Sequence, residues 1–173
     1  MRRLAILAAL TLALSGCGLQ PMYSGGGSGP VARGLAAVDV PVIEGRGGWL
    51  MRNALNDRLQ AAGSGESPRY RLDVRLDDRL EGLGLLSDDT IGRERRTLRA
   101  RYQLVDIASG EILVDATAGA DAGIDVVSSE YATIASENKA LENLAEEVAN
   151  RIVTNLALQL RKGAAQEAVK PGK

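Results

Sequence analysis

The sequence contains no histidine and no phenylalanine, only one cysteine, and aromatic residues make up 3% of it. Without histidine the chain lacks the commonest general acid or base near neutral pH, and its one thiol cannot form an intramolecular disulfide. The acid pairs Asp77-Asp78 and Asp88-Asp89 do not converge on one proton or metal, because adjacent strand residues point to opposite faces. We therefore predict no catalytic residue, no metal site and no cofactor, and a protein that is not an enzyme.

The sequence also lacks an apolar run long enough to cross a bilayer. Residues 4–14 are apolar apart from Thr11, but about 11 residues fall well short of the ~20 that a transmembrane helix needs. Arg2 and Arg3 precede this run, and the small residues Ser15 and Gly16 follow it. This layout is typical of a secretory signal peptide, which we predict over residues 1–16.

The single cysteine, Cys17, stands directly after this segment. The stretch Leu14-Ser15-Gly16-Cys17 resembles the bacterial lipobox, in which the thiol receives a diacylglyceryl group and the cysteine becomes the acylated N-terminus. More than one acyl chain gives stable anchoring, whereas the alternative, a stray exported thiol, would be prone to oxidation. Because Gly18 rather than an aspartate follows, we expect lipidation of Cys17 and anchoring in the outer membrane, facing the periplasm.

Charge and composition limit the function and domain organisation of the remaining chain. Removing Arg2 and Arg3 with the signal peptide leaves 19 basic and 22 acidic residues, which gives no electrostatic case for binding nucleic acid. The stretch "SGGGSG" is typical of a flexible linker. We predict a lipidated N-terminus and linker over residues 17–34, one domain over residues 35–162, and a disordered tail over residues 163–173.

The pattern of apolar residues predicts four strands and two helices. Period-two alternation appears in residues 38–42, 70–77, 97–106 and 111–120, and the last two stretches form a hairpin across the turn "ASGE". Pro41 cannot donate a ladder hydrogen bond, so the first strand should lie at a sheet edge. Apolar residues at helical spacing, Trp49 among them, predict a helix over residues 49–62 after a break at Gly47-Gly48, and a longer one over residues 129–161 that ends before Gly163.

The predicted order is therefore β-α-β-β-β-α. A four-stranded, mostly antiparallel sheet with both helices packed on one face would bury the apolar side of every element. We predict an α+β two-layer sandwich whose second sheet face is charged. That face either is solvated or meets a partner.

Leucines stand unexpectedly in the connection between the second and third strands. Leu83, Leu85 and Leu86 are interspersed with glycine in the stretch "LEGLGLLSDDTIG". Two structures fit this pattern: an exposed apolar tip that enters a partner or lipid, or a strand that continues through a glycine bulge into the core. Under the first alternative they are candidate partner contacts.

Arginine is concentrated in the stretch "GRERRTLRAR". Its forked guanidinium suits phosphate and carboxylate groups, so this stretch is a candidate site for an anionic glycolipid. The alternative is a solvated strand face paired with Asp73, Asp77 and Asp115 on neighbouring strands. Period two places four of the arginines on one face, with Glu94 and Arg96 opposite; the four are Arg93, Arg95, Arg99 and Arg101.

Two stretches resemble a known family. "CGLQPMY" at Cys17 is similar to the CGF-x-PLY opening of the lipopolysaccharide (LPS)-assembly lipoproteins, the LptE family: Gly18, Pro21 and Tyr23 match, and Leu19 and Met22 depart conservatively. Residues 129–149 resemble the passage into the final helix of alphaproteobacterial members. The predicted order of elements agrees as well.

The resemblance implies a function. Members of this family plug the large outer-membrane β-barrel LptD, assist its assembly, and contact LPS on its way to the cell surface. No motif fixes the alignment of the family's LPS-contacting residues with this sequence, so the candidates come from the arginine-rich and leucine-containing stretches themselves. Our hypothesis is that Arg93, Arg95 and Arg96 contact LPS, and that the three leucines with Arg99 and Arg101 contact the barrel. The alternative is an accessory lipoprotein of another envelope machine, such as an ABC-transport auxiliary lipoprotein or a cell-wall synthase activator.

Overall fold

The computed structural model describes residues 29–61, 67–85 and 91–169. Cys17, Leu86 and the pair Asp88-Asp89 lie outside the described residues. The elements in chain order are helix α1 (Pro30–Ala36), strand β1 (Val38–Asp39), helix α2 (Gly45–Ala61), strand β2 (Tyr70–Leu85), strand β3 (Ile91–Asp106), strand β4 (Ile112–Asp125) and helix α3 (Glu130–Val169).

The four strands form one mixed sheet in the order β1-β2-β3-β4. β1 is parallel to β2, while the β2–β3 and β3–β4 pairs are antiparallel. The predicted α+β class and mostly antiparallel sheet are confirmed. β1 is an edge strand, as Pro41 predicts, but it contains only two residues. The chain leaves the sheet at Val40, whose carbonyl oxygen accepts a hydrogen bond from Arg52 Nε in α2 at 2.9 Å.

One face of the sheet is buried under the helices. Leu72 of β2 and Leu98, Tyr102 and Leu104 of β3 point to this face and are at most 1% exposed. The Tyr102 hydroxyl accepts a hydrogen bond of 2.9 Å from Asn155 Nδ2 of α3, which satisfies the one polar group of this side chain. The alternation read from the sequence therefore identifies the buried face correctly.

Helix α1 occupies part of the segment predicted to be linker. Pro30 stands in its first turn, where a missing N–H costs nothing, and Val31, Ala32 and Leu35 are buried. The helix packs on α3 closely enough that a Cβ on Gly34 would lie 3.1 Å from Leu160 Cδ1. Residues 30–34 thus belong to the folded domain, and the linker prediction is wrong there.

Helix α2 begins at Gly45, so the predicted break at Gly47-Gly48 is also wrong. Gly48 is buried in the first turns of the helix, where a Cβ would lie 2.6 Å from the carbonyl carbon of Ile43. Glycine is required here for close approach of two backbone segments. The spacing places Trp49, Leu55 and Leu59 on the apolar side of the helix. Leu55 and Leu59 are buried as predicted, together with Met51, but Trp49 is 64% exposed.

Helix α3 starts close to the predicted position but runs through Gly163 to Val169. The predicted tail is therefore helical up to residue 169. Gly163 is exposed and its Cβ position is open, and it costs only about 1 kcal/mol relative to alanine in a helix, while the following Ala164 and Ala165 favour helix. Within the described ranges, no helix combines the length and hydropathy needed to span a membrane.

Candidate functional site

The face of the sheet that points away from the helices is densely charged. Acidic and basic residues alternate along β2, basic residues dominate β3, and β4 carries acids and glycines. We call the β3 residues Arg93, Arg95, Arg99 and Arg101 the arginine row. The residues of β2 on this face are Arg71, Asp73, Arg75, Asp77, Arg79 and Glu81, and the acids of β4 are Asp115, Asp121 and Asp125.

The two ends of the arginine row are ion-paired. Arg101 Nη2 lies 3.0 Å from Asp115 Oδ2, and Arg93 Nε lies 3.6 Å from Asp125 Oδ1. Hydrogen bonds from Arg101 and then from Gln103 lower the pKa of Asp115 below its ordinary value. Within the described part of the chain, Arg95 and Arg99 have no acidic partner within 4 Å. The two arginines at the centre of the row therefore carry positive charges that no ion pair within the described residues neutralises.

Glycines in β4 make room for the arginine side chains. A Cβ on Gly119 would lie 3.2 Å from Arg99 Cγ, and a Cβ on Gly123 would lie 3.2 Å from the Arg93 guanidinium. Both contacts are tighter than ordinary van der Waals distance, so larger residues at these positions would displace the arginines. The two arginines thus lie against the backbone of β4.

A groove of about 490 Å³ opens beside the end of the arginine row. The chain leaving β1, at residues 41–43, forms one wall, and residues 72–75 of β2 with Arg101 and Gln103 form the rest. Arg75 stands directly opposite Arg101 in the β2–β3 register. Two like charges across a strand pair are unfavourable unless a counter-charge is near, and here Asp115 lies 3.0 Å from Arg101 while Asp73 lines the same groove, so the groove carries both signs of charge.

The family model for LptE, described as lipopolysaccharide-assembly, matches residues 35–156 of the chain. The match covers well over half of the sequence and spans every described element from the end of α1 to the middle of α3. This chain belongs to the LptE family. Among curated proteins, no sequence matches it.

Solved structures of bacterial lipoproteins are similar to this chain. A lipoprotein from Caulobacter crescentus CB15 is 26% identical with a TM-score of 0.66, over 83% of this chain and 100% of that one. The minor lipoprotein of Acinetobacter baumannii has 14% identity and a TM-score of 0.55, over 70% and 88% of the two chains. Lipoprotein B of Nitrosomonas europaea has 13% identity and a TM-score of 0.52, over 79% and 88%. The latter two show the shared fold alone.

LptE proteins are non-enzymatic LPS-assembly lipoproteins. In the regions that the structure describes, no three histidine, cysteine, aspartate or glutamate side chains cluster as metal ligands. The adjacent acids of β2 diverge as predicted: Asp77 pairs with Arg79 on the charged face, and Asp78 pairs with Arg96 under the helices.

The structure separates the three candidate LPS contacts. Arg93 and Arg95 lie exposed on the charged face, whereas Arg96 lies on the side covered by the helices. Arg96 Nε and Nη2 donate to the two carboxylate oxygens of Asp78 at 2.8 and 2.7 Å, and Nη1 donates to the carbonyl oxygen of Glu137 in α3 at 3.0 Å. The hydrogen bonds with Asp78 raise the pKa of Arg96. Grouping Arg96 with the other two needs correction, because its donors join the sheet to α3.

The contacts of Arg96 predict a structural role that can be measured. Arg96→Ala should lower the free energy of unfolding by about 2 kcal/mol, because it leaves the Asp78 carboxylate, only 29% exposed, without its partner and removes the hydrogen bond that joins the sheet to α3. Urea unfolding followed by circular dichroism measures the change. The matched control is Arg95→Ala on the opposite face, which should shift the same value by less than about 0.5 kcal/mol. Equal losses for the two variants would contradict the assignment.

The leucine-containing stretch continues the hairpin of β2 and β3. Leu83 pairs with Arg93 and Leu85 with Ile91, in the same register as the rest of the two strands. This agrees with the alternative in which the strand continues, but the register shows no glycine bulge at Gly82 or between Leu83 and Leu85. Leu83 is half-buried on the charged face at the end of the arginine row. Leu86 lies outside the described residues.

Sequence reasoning missed three features of this face. Alternation places Arg75 on the charged face, but only the strand register shows that it stands opposite Arg101 beside the groove. The role of Gly119 and Gly123 depends on arginines of another strand. The one sequence signal for these two residues is that glycine recurs at period four in β4, on the face that carries the acids.

Proposed function

We propose that this LptE-family chain is an outer-membrane lipoprotein, anchored through Cys17, that plugs the LptD β-barrel, assists its assembly and contacts LPS on its way to the cell surface. The family match places the chain in LPS assembly. The observation that carries the finer proposal is the arginine row, with Arg95 and Arg99 exposed and without an ion pair in the described part of the chain.

The charged sheet face is suited to the interior of an outer-membrane barrel. Such barrels are apolar outside and polar inside, so a plug needs a surface that can form hydrogen bonds with a polar wall. The face presents both charges in close alternation, with Arg71–Asp73 at 3.0 Å and Arg79–Asp77 at 2.9 Å. Alternating charges can exchange these exposed pairs for contacts with lumen residues of either sign.

The arginine row is suited to the anionic part of LPS. A guanidinium donates two parallel hydrogen bonds to a phosphate or carboxylate, and among the described residues no carboxylate oxygen lies within 4 Å of the guanidinium nitrogens of Arg95 and Arg99. We therefore propose Arg93, Arg95 and Arg99 as the LPS contacts, with Arg99 replacing Arg96. Leu83, Leu85, Leu86 and Arg101 remain proposed contacts to the barrel.

The proposed anchor predicts a direct chemical readout. Cells that express Cys17→Ser should incorporate labelled palmitate into this protein at background level, because the thiol that accepts the lipid is gone. The control is Ser24→Ala, which changes the same segment and leaves the thiol in place. Immunoprecipitation followed by autoradiography measures the label. Palmitate retained by the Cys17→Ser variant would overturn the assignment of the anchor.

The plug itself is tested by co-purification. The full chain with a tag after Lys173 is recovered from detergent-solubilised outer membranes, and mass spectrometry identifies what remains bound. We expect one large barrel in about equimolar amount. Recovery of inner-membrane transport proteins or cell-wall synthases, with no barrel, would reject the plug and support the accessory-lipoprotein alternative.

A further inference from the structure

The last part of α3 extends beyond the other long helix. The hydrogen bonds Arg46–Asn138 and Arg58–Asn150 are equally spaced along α2 and α3, so these two helices run parallel. α2 ends within one turn of Arg58, whereas α3 continues to Val169. At 1.5 Å per residue, this extension over residues 154–169 is about 24 Å long. It therefore lies past the end of α2.

Helix α1 packs on this extension. The contact is close at Gly34, where a Cβ would lie 3.1 Å from Leu160 Cδ1. β1 follows α1 directly and pairs with the first residues of β2, so α1 also lies at the start of that strand. We call residues 30–36 together with residues 154–169 the α1–α3 end.

The α1–α3 end contains the described residues that follow the proposed anchor most closely in the chain. From Cys17 to Gly29 the chain spans at most about 40 Å. β2 runs away from α1 for 16 residues, which is about 50 Å, to the hairpin end at Leu85. An anchor at Cys17 therefore favours an orientation with the α1–α3 end toward the membrane and the hairpin end away from it.

The α1–α3 end is basic, although the mature chain is acidic. It contains one acid, Glu167, and three basic residues, Arg33, Arg161 and Lys162. The rest of the mature chain contains the other 16 basic residues and 21 acids. A basic end on an otherwise acidic chain indicates contact with an anionic surface.

The three basic side chains of this end are exposed. In the described part of α3 the ion pairs are Lys139–Glu142 and Arg151–Glu147, and both lie before residue 154. Among the side chains that the structure describes, none of the three basic groups forms an ion pair within 4 Å. They are therefore available to anions outside the chain.

We propose that the α1–α3 end contacts the anionic phospholipid headgroups of the membrane that holds the anchor, through Arg33, Arg161 and Lys162. The attraction comes from many headgroups together and not from a site for one lipid molecule. Each basic side chain near an anionic surface raises the affinity for that surface about fivefold. The proposal rests on the proposed anchor at Cys17, which holds the three charges close to the membrane.

This contact gives the proposed plug a direction. It needs only one copy of the chain and leaves the charged sheet face free for the barrel. The α1–α3 end stays at the periplasmic face of the membrane, beside the acylated N-terminus. β2 and β3 then extend from this end into the barrel and carry the arginine row with them.

Fluorescence quenching by lipid headgroups tests the contact on the lipidated full chain. One protein carries a dye at Gln159→Cys in the α1–α3 end, and a second carries the same dye at Glu81→Cys near the hairpin end; both positions are exposed. The thioether at Cys17 leaves the new thiol as the only one to label. In vesicles of phosphatidylcholine and phosphatidylglycerol with a headgroup quencher, we expect at least about fivefold stronger quenching at residue 159 than at residue 81.

Charge and lipid composition provide the controls. Replacing the three basic residues of the α1–α3 end with glutamine, or omitting phosphatidylglycerol, should lower the quenching at residue 159 about fivefold, while the acyl chains keep the protein on the vesicles. Arg71, Arg79 and Lys139 are exposed and lie outside this end. Their replacement with glutamine removes the same charge and should leave the quenching unchanged.

The outcomes separate this contact from the anchor. A protein on the vesicles that shows equal quenching at both positions would overturn the contact and leave the anchor in place. Quenching that ignores phosphatidylglycerol or the three basic residues would do the same. A protein that carries no acyl chain and stays in solution would reject the anchor at Cys17 and the contact with it.

Discussion

Replacing Arg93, Arg95 and Arg99 together with glutamine is expected to weaken LPS binding by about 30-fold. Each exposed guanidinium–anion pair contributes about 0.7 kcal/mol, so three of them contribute about 2 kcal/mol. Glutamine keeps a polar side chain of similar length and avoids new repulsion with the acids of β2 and β4. Binding of fluorescent LPS to the purified full chain in detergent, at fixed ionic strength, measures the change.

The control for this variant removes the same charge elsewhere. Arg33, Arg161 and Lys162 are exposed on α1 and α3, away from the sheet face. Their combined replacement with glutamine lowers the net charge equally and should change LPS affinity by less than about threefold. Equal losses in the two variants would show that net charge, not the arginine row, governs binding. Thermal melting checks that both variants remain folded.

The second large effect is expected at the start of α2, where Gly48→Ala should destabilise the domain by about 3 kcal/mol. The new Cβ would lie 2.6 Å from the Ile43 carbonyl carbon and 2.9 Å from Ile43 Cγ2. Backbone atoms cannot move aside as a flexible side chain can, so α2 or the preceding chain must shift and lose core packing. Urea unfolding measures the free-energy difference.

The neighbouring glycine provides a matched comparison. A Cβ on Gly47 would meet only Leu141 Cδ1 at 3.7 Å and Leu76 Cδ1 at 3.9 Å, which are ordinary contacts. Gly47→Ala should therefore leave stability unchanged or raise it by up to about 1 kcal/mol through helix propensity. If the two alanine variants behave alike, the close approach of Ile43 to Gly48 is not what fixes glycine there.

This glycine pair shows why one part of the fold was predictable and another was not. The strands 70–77 and 97–106 follow directly from period-two alternation, because one face of the sheet is buried and the other is wet. Two consecutive glycines look like a break when only local propensity is considered. Their helical state depends on Ile43 and on packing against Leu141, which no local pattern encodes.

In the candidate site, too, some features follow from the sequence and others do not. Placement of Arg93, Arg95, Arg99 and Arg101 on one face follows from period two alone. The structural role of Arg96 does not, because its partners Asp78 and Glu137 lie 18 and 41 residues away. The resemblance at "CGLQPMY" lies outside the described residues, whereas the family match rests on residues 35–156, so the two are independent grounds for the LptE assignment.

The short length of β1 could not be foreseen from the sequence. Residues 38–42 alternate as a strand of full length would, but pairing with β2 ends at Asp39, and the Val40 carbonyl accepts a hydrogen bond from Arg52 of α2 instead. The exposure of Trp49 could not be foreseen either. Helical spacing shows which residues of α2 share a face, but which face is buried depends on the packing of α2 against α3 and on the close approach at Gly48.

The central claim, that this chain serves LPS transport through a barrel, is tested most directly by depletion in its native cell. Newly made LPS is pulse-labelled and the fraction that reaches the outer leaflet is measured, together with the amount of folded barrel. The account predicts that both fall as the protein is depleted and that the wild-type chain restores both. Normal arrival of LPS at the surface and a normal barrel level after depletion would contradict it.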